Sequence, residues 1–246
     1  MTLVVGHTRL KVLGGRRVQR VVVGITGASG FVYGVRAVQV LYQAGYEVHL
    51  VVSDNAYMVA AKEHGMTFQP NRAATWQKLV RSTARNPMLR YDDDVDAMAH
   101  DDAIDRRNHP EGRLVLHAFR DVSAPIASGS FLSLGGMIIP ASMGTVAAVA
   151  LGLSNNLIER AFDVLMKEGR RTVLVPRETP LSALHLEHML RLARLGVRIV
   201  PAMPAFYHRP QTVEEIIDFV VGKALDALGI TDIPLFQRWG EKDVRL

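Results

Sequence analysis

Residues Arg20–Ser53 constrain the fold more than any other stretch of this chain. Arg20-Val-Val-Val-Gly-Ile25 is a short, β-rich apolar run, and Thr26-Gly-Ala-Ser-Gly30 after it is a turn. Phe31–Ala44 then places Val35, Val38, Leu41 and Ala44 at helical spacing, Gly45 stands at the C′ position, and Glu47–Ser53 (EVHLVVS) is a second β-rich run. A strand, a tight turn, a helix and a strand in succession make a βαβ unit. Such a unit requires parallel strands and a right-handed crossover.

The same rhythm continues downstream. Asn55–His64 reads as a second helix, and Gly136–Pro140, Thr172–Pro176 and Val197–Pro201 read as strands. Asn155–Lys167 (opened by an Asn cap), Leu181–Leu195 and Thr212–Leu228 (stopped by Gly229) read as helices. Strands this short and uniformly apolar belong to a sheet covered on both faces. The expected fold is therefore α/β, a three-layer doubly wound parallel sheet in a single domain, which 246 residues accommodate.

Two segments fall outside the pattern. Residues 1–19 read as a basic extension, leaving 20–246 as the folded domain. Residues 65–119 read as an insertion whose middle, Tyr91–Gly112, carries eight acids and few apolar residues. A solvated insertion explains that composition better than a paired-carboxylate metal site.

The net charge of +5 and the pI near 9.7 suggest a nucleic-acid or membrane partner until the charges are located. Arg9, Lys11, Arg16, Arg17 and Arg20 sit in the first twenty residues without an acid among them, and the rest of the chain has equal numbers of bases and acids. No nucleic-acid partner is expected. Val122–Ile158 has no charged residue, yet its two prolines, six serines and five glycines do not suit a lipid-facing helix, so no membrane span is expected. The chain has no cysteine, which excludes disulfides, thiolate metal sites and a Cys nucleophile. His185 and His188 lie three apart on a helix without a third ligand in register, and no metal is expected.

The chemistry is expected at the turns. Gly24-Ile-Thr-Gly27-Ala-Ser-Gly30 has neither the glycine spacing of the dinucleotide fingerprint nor the Lys of a P-loop. It does offer hydroxyls from Thr26 and Ser29, and helix N–H groups to a phosphate. Ala141-Ser-Met-Gly-Thr145 repeats the device after a later strand, and Ser128-Gly-Ser130 adds a polar loop. Two such turns at the carboxyl ends of parallel strands suit a mononucleotide such as FMN. Arg177-Glu178 ends a strand where that crevice should lie, and Ala205–Pro210 places aromatics in a loop after the last strand.

In this order, VVVGITGASGFVYGVR, EVHLVVSDNA, ASGSF, PASMGTVAAVALGLSNNLIERAFDVLMKE, TVLVPRETPLSALHLEHML and VPAMPAFYHRPQTVEEIIDFVVGKALDALGI resemble the flavin prenyltransferases, the UbiX-like family. The resemblance spans Arg20–Ile230 apart from the insertion. It implies a flavodoxin-like or Rossmann-like fold, FMN as cofactor and no metal. The implied reaction moves a dimethylallyl group from dimethylallyl phosphate to reduced FMN and closes a fourth ring. The prenylated FMN would serve a UbiD-type decarboxylase, and the enzyme would be a cytoplasmic homo-oligomer, a dodecamer.

Carried over by motif, Gly27, Ala28, Ser29, Ser53, Ser128, Ser142, Met143, Gly144, Thr145 and Arg177 would contact FMN. Arg160, Lys167, Tyr207 and Lys223 would hold the prenyl phosphate, and Glu178, Lys167, Glu63 and Ser29 would be catalytic. Lys223 stands where some relatives have Arg, exchanging a bidentate fork for a point charge. The alternatives are a non-catalytic FMN carrier and a flavin-dependent decarboxylase of the same fold; decarboxylases of the peptidyl-cysteine type depend on a Cys that this chain lacks.

Overall fold

The computed structural model describes residues 12–13, 16–17, 19–68, 71–82, 84–85 and 112–240. The acids of Tyr91–Glu111 lie outside the described residues, as does most of the basic extension. Within that extension β1 (Val12–Leu13) pairs antiparallel with β2 (Arg16–Arg17).

The main sheet has six parallel strands: β3 (Arg20–Ile25), β4 (Glu47–Val52), β5 (Arg113–His117), β6 (Gly135–Ala141), β7 (Arg171–Pro176) and β8 (Arg198–Ile199). Their spatial order is β5-β4-β3-β6-β7-β8, so the chain winds outward in one direction from β3 and in the other from β6. The doubly wound sheet expected from the sequence is the one observed. Where winding reverses, the connections after β3 and β6 diverge and leave a crevice at their carboxyl ends.

Side chains alternate across the sheet. Val21, Val23 and Ile25 join the core under α1 (Phe31–Gln43), α2 (Asp54–His64), α3 (Arg72–Arg81) and α7 (Val213–Leu228). Val22, Ile138 and Leu174 join the opposite core, under α4 (Met143–Ala150), α5 (Leu157–Lys167) and α6 (Ala183–Arg194). Helix α1 lies so close to the sheet that a Cβ on Gly34 would come within 2.5 Å of the Ile139 carbonyl oxygen. Helix starts follow the side chains available: Ser53, Asn71, Ser142, Asn156, Ser182 and Thr212 each accept a backbone N–H from the turn they open.

The stretch 65–119 is not wholly an insertion, because it contributes α3 and the edge strand β5. Helix α3 inserts Trp76, fully buried, among Phe31, Tyr57 and Phe68. A buried ion pair secures the chain that follows: Arg36 on α1 meets Asp218 on α7 at 2.6 Å, and Arg85 reaches the same carboxylate at 2.7 Å. Gln39, also fully buried, donates to the carbonyls of Ser82 and Ala84 at 2.9 Å.

A second polar cluster lies at the β4–β5 edge. His49 Nε2 is 2.9 Å from Glu47 Oε1, and its Nδ1 is 2.9 Å from His117 Nε2. An ionised carboxylate only accepts, so His49 donates through Nε2 and receives the His117 N–H at Nδ1. Burial holds both imidazoles below 6.5. Burial would raise Glu47, but the hydrogen bond and charge of His49 together with Arg20 and Arg113 hold it below 4.5.

The two neutral imidazoles bind protons less readily in the folded protein than in the unfolded chain. Their contribution to stability is thus complete above the unfolded value and declines as pH falls below it. The thermal midpoint is expected to fall as pH is lowered from about 7 to about 5.5, a range in which an unperturbed His titrates. His117→Gln should flatten that slope, and an unchanged slope in the variant would refute this assignment.

Candidate active site

The turns after β3 and β6 are joined by one side chain. Thr26 donates its hydroxyl to the Pro140 carbonyl at 3.0 Å and accepts the Ser142 N–H at 2.8 Å. Thr26 is 3% exposed, and its hydroxyl ties the two turns together; this corrects the expectation that it faces a ligand. Gly27 packs against α2, where a Cβ would lie 2.6 Å from Asn55 Cβ.

The expectation that α1 presents open N–H groups to a phosphate is corrected by Glu63. Its carboxylate accepts the Gly30 N–H at 2.9 and 3.1 Å and the Phe31 N–H at 3.2 Å. Gly30 itself has φ of 95° and no side chain with which to cap the helix. An acid from α2 therefore supplies the negative charge that the α1 dipole favours. Glu63 thus meets this turn through its backbone N–H groups.

Among the described residues, no acid plugs helix α4 in this way. Ser142 caps it, accepting the Thr145 N–H at 3.4 Å with the two hydroxyl oxygens 3.0 Å apart, and its first turn holds no acid. A Cβ at Gly144 would meet nothing within 4 Å. Ser53, at the end of β4, is buried and caps α2. Arg177 leaves β7 with its N–H bonded to the Ala141 carbonyl at 3.3 Å. Arg177 and Glu63 both act electrostatically on Tyr33, whose hydroxyl pKa is raised by its burial. The sequence reading did not single out Tyr33, which lies between two residues that it did. Beyond Arg177, Glu178, Leu181, Met189, Ala202 and Met203 line a cleft of about 270 Å³.

Helix α5 carries a second group as it runs back toward the amino ends of the strands, with Arg160 in its first turn and Lys167 as its last residue. Arg160 donates to the Ala127 carbonyl at 3.2 Å, Lys167 pairs with Glu168, and Arg170 donates to the Gly129 and Phe131 carbonyls. Ser128 and Ser130 share a 2.9 Å hydroxyl contact in the same loop. Lys167 ends α5 just before β7 begins, whereas Arg177 directly follows its last residue. Six residues of strand, about 20 Å, thus separate the two. One chain brings Ser29, Ser53, Ser142–Thr145, Arg177 and Glu178 to the carboxyl ends of the strands, with Ser128 and Lys167 toward the amino ends. Tyr207 and Lys223 are both exposed, Tyr207 in the loop after β8 and Lys223 on α7. Among the described residues, no group of three His, Cys, Asp or Glu side chains is placed to hold a metal.

Open α/β sheets bind mononucleotides at strand ends of this kind, and the Flavoprotein family model matches residues 13–225. The chain belongs to that family and, within it, to the flavin prenyltransferases of UbiX type. It is 46% identical over 220 residues to the flavin prenyltransferase UbiX of Halalkalibacterium halodurans, covering 89% of this chain and 93% of the relative. It is 40% identical over 224 residues to UbiX of Pseudomonas aeruginosa, covering 91% and 95%. The crystal structure of AnUbiX (PadA1) with FMN and dimethylallyl pyrophosphate superposes with a TM-score of 0.69 at 34% identity, covering 92% of this chain and all of that one. A dodecameric FMN-dependent UbiX-like decarboxylase from Escherichia coli O157:H7 superposes at 0.68 with 38% identity, covering 90% and 99%.

Proposed function

We propose that the chain transfers a dimethylallyl group from dimethylallyl phosphate to reduced FMN and closes a fourth ring, making the prenylated FMN used by UbiD-type decarboxylases. One observation carries the reading: Thr26 joins two hydroxyl-bearing turns at the sheet's switch point beside Arg177, in a chain 46% identical to a UbiX enzyme. The residues present fit FMN. The α4 N-terminus has free space at Gly144, hydroxyls at Ser142 and Thr145, and no competing acid, which suits the flavin's phosphate. Gly27, Ala28, Ser29, Ser53, Met143 and Arg177 complete the cradle, and Glu63 positions the Ser29 turn. The reduced flavin, when bound, supplies the nucleophile, so no side-chain nucleophile is required.

The side chains act on the leaving group. As the C–O bond of the substrate breaks, its electron pair stays on phosphate, and Arg160, Lys167, Lys223 and Tyr207 stabilise that charge. Glu178 exchanges protons with the departing phosphate, and the apolar cleft wall around Met189 and Met203 keeps water from the allylic carbon.

In this reading Lys167 and Ser128 come from a neighbouring subunit, because their own chain places them at the far end of the sheet. A homo-oligomer of the dodecameric kind named for the Escherichia coli protein is thus part of the site. Among the described residues no helix is long and apolar enough to cross a membrane, and both substrates are water-soluble, so we place the reaction in the cytoplasm.

Anaerobic incubation with reduced FMN and dimethylallyl phosphate, followed by mass measurement of the flavin, is expected to show the added prenyl unit. Flavin that binds tightly and never gains that mass would make the protein an FMN carrier.

A further inference from the structure

The loop after β8 contains a side chain that the reaction scheme has not used. Neither ring nitrogen of His208 is reached by solvent, and neither has a hydrogen-bond partner among the described residues. Its ring stacks on Phe219 of α7, with centroids 5.2 Å apart and planes 5° from parallel, and meets Tyr207 edge-on at 5.7 Å. The next residue, Arg209, has φ of 51°, a left-handed conformation that side-chain-bearing residues seldom adopt. The backbone is thus strained immediately after an imidazole whose hydrogen-bonding capacity is unspent. Buried polar groups in folded proteins are nearly always paired, and those left unpaired call for a cause.

The position supplies one. Tyr207 precedes His208 in the chain, and Lys223 lies one helical turn beyond the Phe219 on which His208 rests. His208 and Tyr207 thus both pack on Phe219, one helical turn from Lys223, the other residue proposed to hold the prenyl phosphate. It also lines a cavity of about 390 Å³ together with Tyr207, Arg209, Arg238 and Trp239. The Arg238 guanidinium is engaged with Asp226 at 2.7 and 2.9 Å.

We infer that His208 is a substrate-binding residue that donates an imidazole N–H to the phosphate of dimethylallyl phosphate. The inference rests on the proposed prenyl transfer and adds a ligand to it. The ring turns on its stacking contact with Phe219 to reach the phosphate. No covalent bond or proton transfer is assigned to it.

The test is calorimetric titration of dimethylallyl phosphate into the assembled protein loaded with oxidised FMN, where no turnover occurs. His208→Phe keeps the stack and removes both nitrogens. It is expected to weaken binding at least about tenfold, the scale of a lost hydrogen bond to a charged group, and to leave FMN affinity unchanged. His208→Asn, which retains a donor, should recover part of that loss. A role confined to packing would give the opposite pattern, with His208→Phe melting at or above wild type and binding substrate within about twofold of it. That result would overturn the inference and leave prenyl transfer intact. Failure of the wild-type protein to bind dimethylallyl phosphate would refute both. If the Phe variant does not assemble, His208→Leu decides by the same titration.

Discussion

Mixing two inactive variants is expected to restore prenyl transfer. Lys167→Ala removes a cation from the amino end of the sheet, and Glu178→Gln removes an acid from the carboxyl end; either homogeneous variant should lose nearly all turnover. The length of β7, about 20 Å, lies between these positions in one chain. If a site needs the carboxyl end of one copy and the amino end of another, refolding an equal mixture assembles some sites with both groups intact. Random assortment across a heterologous contact makes that fraction roughly a quarter. Activity of the mixture should thus rise from near zero to about a quarter of wild type by the same counting. A mixture as inactive as its components, with mixed assembly verified by mass, would show that Lys167 and Glu178 do not act across a subunit boundary.

The second large effect is on stability. Asp218→Ala is expected to cost about 3–5 kcal/mol, because it leaves Arg36 charged, buried and without its carboxylate. Urea unfolding should report this as a lowered midpoint. Arg85 adds less, since its side chain remains 47% exposed and water can replace the lost partner. The loss should also reach Ser82, Ala84 and Arg85, which Gln39 and Asp218 hold. Asp218→Asn, which retains hydrogen-bonding oxygen and nitrogen, should cost less than the alanine. A loss below about 1 kcal/mol for the alanine variant would mean that Arg36 escapes to solvent and that the pair is not a fixed part of the core.

The layers of the fold were legible because each depends on a local pattern. The Arg20–Ser53 unit and the three later strands needed only apolar runs, and the helix starts needed only caps. The α2, α5, α6 and α7 boundaries agree with the sequence reading to within two residues. Helix α3 and strand β5 were not legible, because both fall in the stretch that the acidic run marked as an insertion, and β5 is a half-exposed edge strand. Trp76 was the available signal, since a tryptophan in a supposedly solvated segment asks for a core.

The two turns of the site could also be read, but not what occupies them. Nothing in the sequence pairs Glu63 with the Gly30 N–H, or turns the Thr26 hydroxyl from the ligand toward Ser142. Those contacts depend on how α2 and β6 lie against the first turn, which local spacing does not encode. His208 was visible as part of an aromatic loop. Its unpaired nitrogens were not, because an absent partner can be recognised only when all neighbours are in place.

The Thr26 hydroxyl has a mechanical consequence. Residues 116 positions apart share one oxygen as a common joint, so the two turns cannot part at the crevice without breaking both bonds of that hydroxyl and the Thr26 N–H bond to Pro140. A ligand held by these turns would rest on one joined bracket instead of two independent jaws.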